Sequence, residues 1–369
     1  MASIEHLLEC GQSLWLDYVD RNLLTGGGLE RLVDEGLRGV TSNPTIFHQA
    51  ITGTDAYDEA ILDLIQADHE LDGETLYEWL AIQDIQTACD HLRPVYERTG
   101  GADGFVSMEV SPHLAHDPNA TIDQARHLWR SVHRDNLMVK VPATVEGLHA
   151  VEALIADGIN VNVTLLFSVE RYREVFQAYT RGLAHNEEPG RVASVASFFV
   201  SRVDGMIDPM LDGAGQEAAA WKHRAAIANA KLAYQAFREM RRGADFQAQA
   251  RRGARVQRPL WASTSTKDPS LSDTLYVDNL VGPDTVNTVP PKTLDAFVEH
   301  GTAAVTIDDY LDAARDVFGA LPRFGVDMDA VTAELEADGV QKFVDSHDAL
   351  VTALRDKLNE VTSRYAAGS

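Results

Sequence analysis

Lysine is nearly missing from the first 221 residues of this chain; arginine fills the cationic positions there, and only Lys140 departs from the rule. That makes the exception hard to treat as interchangeable charge. A guanidinium stays protonated, whereas an ε-amine can be desolvated, lose its proton and attack a carbonyl carbon. Cysteine is scarce too. Cys10 and Cys89 are the only two in 369 residues, which excludes a disulfide framework and fits a reducing compartment. Positive charge is in short supply, with 32 Lys and Arg against 56 Asp and Glu, a net −24. Such a surface repels nucleic acid and anionic membranes, and it repels phosphorylated metabolites unless a site gathers its own cations. No apolar run approaches a membrane span, and residues 1–14 are acidic, without a long apolar segment. The expectation is a soluble cytoplasmic protein without a signal peptide, monomer or homodimer, with neither nucleic acid nor membrane as partner.

Several motifs are missing as well. Gly26-Gly27-Gly28 is followed by no Gly-Lys-Ser/Thr and lacks dinucleotide-binding spacing, and no G-x-S-x-G elbow occurs. His113 and His116 form an H-x-x-H beside Asp117, but no further ligand pattern accompanies them, so no metal is expected. Six arginines lie between Arg241 and Arg258 among Gly, Ala and Gln. With this net charge they read as a solvated helix end and loop, not an RNA contact.

What is present is ordinary core material, 45% hydrophobic and 24% charged, arranged as alternating strand and helix patterns. Short apolar runs predict strands at Ser13–Asp17, Gly39–Asn43, Gly104–Val110, Leu137–Pro142, Ile159–Leu166, Val192–Phe199, Arg258–Ser263 and Val286–Val289. Amphipathic stretches between them include Gly28–Glu35, Gly73–Arg98, Asp123–Arg134, Glu146–Asp157, Val169–Asn186 and Ala218–Arg241. Eight such units joined by right-handed crossovers predict an α/β fold, a closed (β/α)₈ TIM barrel, over an open doubly wound sheet. The chain reads as one barrel domain spanning 1–369, with elaborated crossovers near 47–101 and 204–257. A tail near 308–364, helical throughout, closes the barrel, and a lid over its mouth is a further role for it.

In such a barrel the C-terminal ends of the strands converge on one mouth. The first strand ends in Asp17, the second in Thr41-Ser42-Asn43-Pro44, the third in Glu109, and the fourth holds Lys140. Asn162 and Thr164, two apart, point to one face of the fifth. The sixth supplies Ser197 with Ser201-Arg202 beyond it, and the seventh runs into Ser263-Thr264-Ser265-Thr266-Lys267. Each has an ordinary reading. Asp17 fits a cap, Asn43-Pro44 a turn, Glu109 an arginine partner, Asn162 and Thr164 cross-strand bonding, Ser197 core filler, and Arg202 and Lys267 solvated charge. Taken together at one rim, a buried amine, two carboxylates, hydroxyls, amides and two cations describe a Schiff-base site for a phosphorylated polyhydroxy carbonyl compound.

The motifs carry a resemblance. Gly39-Val40-Thr41-Ser42-Asn43-Pro44-Thr45-Ile46-Phe47 and Asn136-Leu137-Met138-Val139-Lys140-Val141-Pro142-Ala143-Thr144 resemble the two signatures of transaldolases, class I Schiff-base enzymes of pentose phosphate carbohydrate metabolism. Asn162-Val163-Thr164-Leu165-Leu166-Phe167-Ser168 and Ser197-Phe198-Phe199-Val200-Ser201-Arg202 match in type and order, and the length is similar to the longer bacterial subgroup. The resemblance implies a metal-independent, cofactor-free transferase of a dihydroxyacetone unit from sedoheptulose 7-phosphate to glyceraldehyde 3-phosphate. It implies Lys140 as the imine-forming residue, Asp17 as the base for carbon–carbon cleavage, and Glu109 as a proton carrier through water. By the same likeness Asn43, Asn162, Thr164 and Ser197 would hold the dihydroxyacetone portion and Arg202 the phosphate. Shorter members carry an arginine after an Ala-Ser pair where this chain has Ala262-Ser263-Thr264-Ser265-Thr266-Lys267, so the second phosphate contact passes to Lys267, with Ser265 beside it. The related fructose-6-phosphate aldolases are smaller and place a tyrosine where Phe199 falls, which favours transfer over release. A non-catalytic barrel used as a binding scaffold is the remaining reading.

Overall fold

The computed structural model describes residues 4–67 and 71–368. β1 (Gln12–Leu16), β2 (Gly39–Thr41), β3 (Phe105–Glu109), β4 (Leu137–Pro142), β5 (Val161–Leu166), β6 (Ser194–Phe199), β7 (Arg258–Ala262) and β8 (Thr285–Val289) pair in chain order. All are parallel, and β8 closes onto β1. The expected closed (β/α)₈ barrel is the fold. Strands of such a barrel are covered on one face by its core and on the other by helices, which is why they read as unbroken apolar runs. Gly39 and Trp15 are register partners, and a Cβ on Gly39 would lie 2.5 Å from the indole, so only glycine fits there. At the opposite end from the mouth, Asp103 accepts hydrogen bonds from Ser13 Oγ and Trp15 Nε1 and pairs with Arg258, which fastens the bottom of the barrel.

Helices start close behind the strands because capping residues are placed there. Asn43, Asp117, Thr144 and Ser168 each accept a backbone N–H of the first helical turn. Pro44 and Pro118 occupy the first turn, where no N–H is needed. Asp117-Pro118 therefore starts a helix, Pro118–Val132, five residues before the expected stretch at Asp123. The helix expected over Ala218–Arg241 is split into Gln216–Ala219 and Ala225–Arg242. Asp208 and Asp204, on the preceding helix Ser201–Gly213, accept the N–H groups of His223 (2.9 Å) and Ala226 (2.8 Å) and so begin a new helix. A short helix, Ala244–Ala250, interrupts the arginine-bearing stretch, and Arg258 lies in β7.

The tail is not one continuous helix. After Pro291–His300, which the apolar pattern does not announce, come Leu311–Ala320, a 3₁₀ turn at Leu321–Phe324 and the long helix Met328–Gly368. Pro322 and Gly325, at φ 77°, break the run. The long helix packs against Pro44–Thr52, Asp58–Ala67 and Gly73–Arg98 from the first long connection, of which residues 68–70 lie outside the described residues. Among the described residues no helix is long and apolar enough to cross a membrane.

Candidate active site

Lys140 stands near the end of β4 with Glu109 of β3 and Asn162 of β5 as its register neighbours. The residue is 6% exposed. Its Nζ donates to the carbonyl of Ser42 at 2.8 Å and forms an ion pair with Glu109 Oε1. The ring of Phe343, from the long C-terminal helix, lies with its centroid 6.0 Å from the amine. The lysine expected from its isolation in the sequence thus sits at the barrel mouth, enclosed from above and flanked by a carboxylate.

Two carboxyl groups share this enclosure. Burial pushes Asp17 above the usual carboxylate range; Lys140 and a hydrogen bond from Thr41 Oγ1 (2.7 Å) pull the other way. Glu109 is raised by the same cause, again opposed by Lys140, while the negative charge of Asp17 reinforces the rise. Glu109 Oε2 is buried and has no hydrogen-bond partner among the described residues, an acceptor left open for water or substrate.

Below the amine lies a chain of polar side chains. Asn162 donates to Ser107 Oγ (3.0 Å) and accepts from Ser197 Oγ (2.6 Å), so its amide is held by β3 and β6 at zero exposure. Thr41 and Thr288 join hydroxyls at 2.7 Å beneath Asp17. Thr164 Oγ1 is buried without a hydrogen-bond partner among the described residues. One residue beyond it, β5 is irregular and Leu165 adopts φ 60°, a strained conformation of the kind concentrated at functional sites.

A cavity of about 610 Å³ opens over this floor. Asp17, Asn43, Lys140, Thr164, Ser197, Arg202, Ser265 and Lys267 all line it. Glu109 and Asn162 do not. Glu109 faces two narrower recesses behind the amine, and Asn162 lies in the layer beneath. Asn43 also caps its helix by accepting from Ile46 N (3.0 Å), so where the sequence suggested a turn the structure has a helix N-cap, alongside the residue's place in the cavity. Arg202 lies over the Phe199 ring, 5.1 Å from its centroid, and its Nη1 is buried with no partner among the described residues. Burial lowers its pKa, with Asp338 opposing. An unpaired guanidinium facing a cavity is a ready anion site. Lys267 is exposed at the rim and donates to Ser265 Oγ at 2.9 Å.

Strand-end reasoning passed over several residues here. Thr288 at the end of β8 obeys the same alternation as the others and was legible by that rule. Ser107 lay in full view on β3. Lys292, a cation on the cavity wall besides Lys140, Arg202 and Lys267, comes shortly after β8. Phe343 carries no local signal, because it arrives from a helix some 200 residues beyond Lys140 in the chain (343 − 140 = 203).

Residues 14–354 match the family model described as transaldolase/fructose-6-phosphate aldolase. The chain is 48% identical over 361 residues to a protein of Acidothermus cellulolyticus named transaldolase, covering 96% of each. A protein of the same name from Thermobifida fusca is 48% identical over 362 residues, covering 96% of this chain and 98% of its own. One from Thiobacillus denitrificans is 47% identical over 350 residues, covering 93% and 97%.

Proposed function

The chain belongs to the transaldolase/fructose-6-phosphate aldolase family, and from that premise we propose that it works as a transaldolase in the cytoplasm, moving a dihydroxyacetone unit between phosphorylated sugars. Sedoheptulose 7-phosphate would be the donor and glyceraldehyde 3-phosphate the acceptor, giving erythrose 4-phosphate and fructose 6-phosphate. The observation that carries this reading is the enclosed Lys140 amine, ion-paired with Glu109 on the wall of a cavity that also holds Asp17 and the unpaired Arg202.

The chemistry follows from those groups. Lys140 passes its proton to Glu109 and adds to the donor's ketone carbon as the neutral amine. Glu109 then returns a proton to the carbinolamine oxygen, water leaves, and an iminium forms. Asp17 takes the proton of the hydroxyl carried by the far carbon of the bond to be broken. That carbon–carbon bond breaks, its electron pair moves into the iminium, and an aldehyde departs, leaving a neutral enamine on Lys140. The acceptor aldehyde takes the aldehyde's place and the steps run backward. Thr164, Ser197 and Asn43 would hold the hydroxyls of the tethered three-carbon unit, Asn162 would set Ser197, and Arg202 with Lys267 and Ser265 would bind the phosphate. The side chain on the sixth strand is Phe199, not the tyrosine typical of the aldolases that release dihydroxyacetone.

The test is reductive trapping. Fructose 6-phosphate with borohydride should add a reduced three-carbon unit to one peptide, and mass mapping should place it on Lys140. Lys140→Arg should neither trap nor turn over, because a guanidinium forms no imine. A trapped adduct on any other residue would refute the assignment. Substantial dihydroxyacetone release without acceptor would move the reading to an aldolase.

A further inference from the structure

We propose that His113, His347 and Asp348 form a binding site for a divalent cation of the zinc class, which clasps the long C-terminal helix to the barrel. It takes no part in the carbon transfer and does not depend on the Schiff-base reading.

The H-x-x-H pattern does not act as one unit. His116 turns to Glu146, with Nδ1 3.2 Å from Oε2. His113, in the 3₁₀ turn Pro112–Leu114 behind β3, instead meets His347 and Asp348 on the helix Met328–Gly368. Asp348 Oδ1 lies 2.7 Å from His113 Nε2 and 3.8 Å from His347 Nδ1, and the three ligand atoms fall within 4.8 Å of one another. A tetrahedral zinc with bonds of about 2.0–2.2 Å separates its ligand atoms by roughly 3.3–3.6 Å, inside that spread. The two imidazoles stand at 84° with centroids 5.6 Å apart, edge to face, and both present a nitrogen to the carboxylate.

A second observation points to a ligand independently. His347 is 3% exposed, and its Nδ1 is buried without a hydrogen-bond partner among the described residues. A buried polar atom normally finds one. Its other nitrogen, Nε2, lies 3.2 Å from Glu74 Oε1. An ionised carboxylate only accepts, so in the neutral imidazole that contact holds the proton on Nε2 and turns the Nδ1 lone pair toward the cluster, where a cation would take the place of a proton. A carboxylate behind a ligating histidine is the usual support of a metal-bound imidazole. Two imidazoles and one carboxylate suit zinc, cobalt or nickel better than magnesium or calcium. His113 and Asp348 are exposed, which leaves a fourth position for water.

The place of the site gives it a consequence. His347 lies four residues beyond Phe343, on the same face of the helix. A cation holding His347 to His113 therefore holds the phenyl ring over Lys140 as well.

Isothermal titration of the chelator-stripped, full-length protein with zinc chloride should show one equivalent bound per chain. The double variant His113→Gln, Asp348→Asn, both at exposed positions, should bind at least tenfold more weakly while keeping zinc-free transfer activity. Glu74→Gln should weaken binding roughly 10- to 100-fold by removing the support of His347. Zinc should raise the melting temperature of the wild type and not that of the double variant. It should also slow amide exchange across residues 340–350. Failure of the wild type to bind zinc, binding undiminished in the double variant, or unchanged exchange in the zinc-bound protein would each overturn the clasp.

Discussion

Thr41 donates to Asp17 while sharing its hydroxyl with Thr288, and this hydrogen bond favours the ionised carboxylate against a burial that disfavours it. If Asp17 is the cleaving base, it must be ionised, and its raised pKa puts the acid limb of the rate profile above the ordinary carboxylate range. Thr41→Val removes the opposing hydrogen bond. The acid limb of kcat/KM should then move toward neutral pH with little change on the alkaline side; a profile superimposable on the wild type would show that Asp17 does not control that limb. In the proposed reading Arg202 binds the other end of the substrate. Losing a charge-assisted contact worth about 1.5–3 kcal/mol should raise KM for phosphorylated sugars roughly 10- to 150-fold in Arg202→Ala, with kcat far less affected. An unchanged KM would place the phosphate elsewhere. Both residues were visible in the sequence because strand ends converge in a barrel and chemistry there needs polar types. Asn162 shows the limit of that logic: alternation put it on the inner face, but depth along the strand decides between cavity wall and supporting layer. One residue of depth is not encoded in a two-residue period.

Elements were legible where one pattern dominated. Gly73–Arg98 carries the same bounds in sequence and structure despite an internal Pro94. The break near residue 220 was not legible, because the acceptors that start the next helix lie on another element. Asp204 accepts from Ala226 N at 2.8 Å and from Tyr276 Oη at 3.0 Å, tying together three helices from a site that is 2% exposed. Burial raises its pKa from 3.8 to about 6. The folded state thus holds this proton more tightly than the unfolded chain does. Its contribution is complete below about pH 3.8 and is lost as the pH climbs to about 6, about 3 kcal/mol at 1.36 kcal/mol per unit. Asp204→Asn keeps the shape and an acceptor but has no charge to bury. In urea unfolding the variant should match the wild type near pH 4 and exceed it by up to about 3 kcal/mol above pH 6. Parallel curves for the two proteins would show that Asp204 does not titrate across that window.

At the scale of the whole molecule, the barrel could be read from eight repeated strand–helix units, yet what covers its mouth could not. The long C-terminal helix is amphipathic in the ordinary way, and only the closed ring decides that Val340 and Phe343 come to rest beside Lys140. The same helix brings Gly339 against Leu165, where an added Cβ would lie 3.0 Å from the leucine side chain, so the approach is close along this stretch. Such a cover has a chemical purpose in an enzyme that keeps its intermediate. If Lys140 carries the proposed enamine, that intermediate is lost when its carbon is protonated and the resulting iminium is hydrolysed, and the hydrolysis needs water at the iminium carbon. Phe343→Ala removes the ring without touching a polar group of the site. Dihydroxyacetone release in the absence of acceptor should therefore rise several-fold, while transfer to glyceraldehyde 3-phosphate falls and reductive trapping at Lys140 persists. The ratio of release to transfer is the quantity to follow, because a merely loosened fold would lower both rates together. A ratio equal to that of the wild type would mean that exclusion of water rests on the barrel alone and that the helix serves only to pack against it.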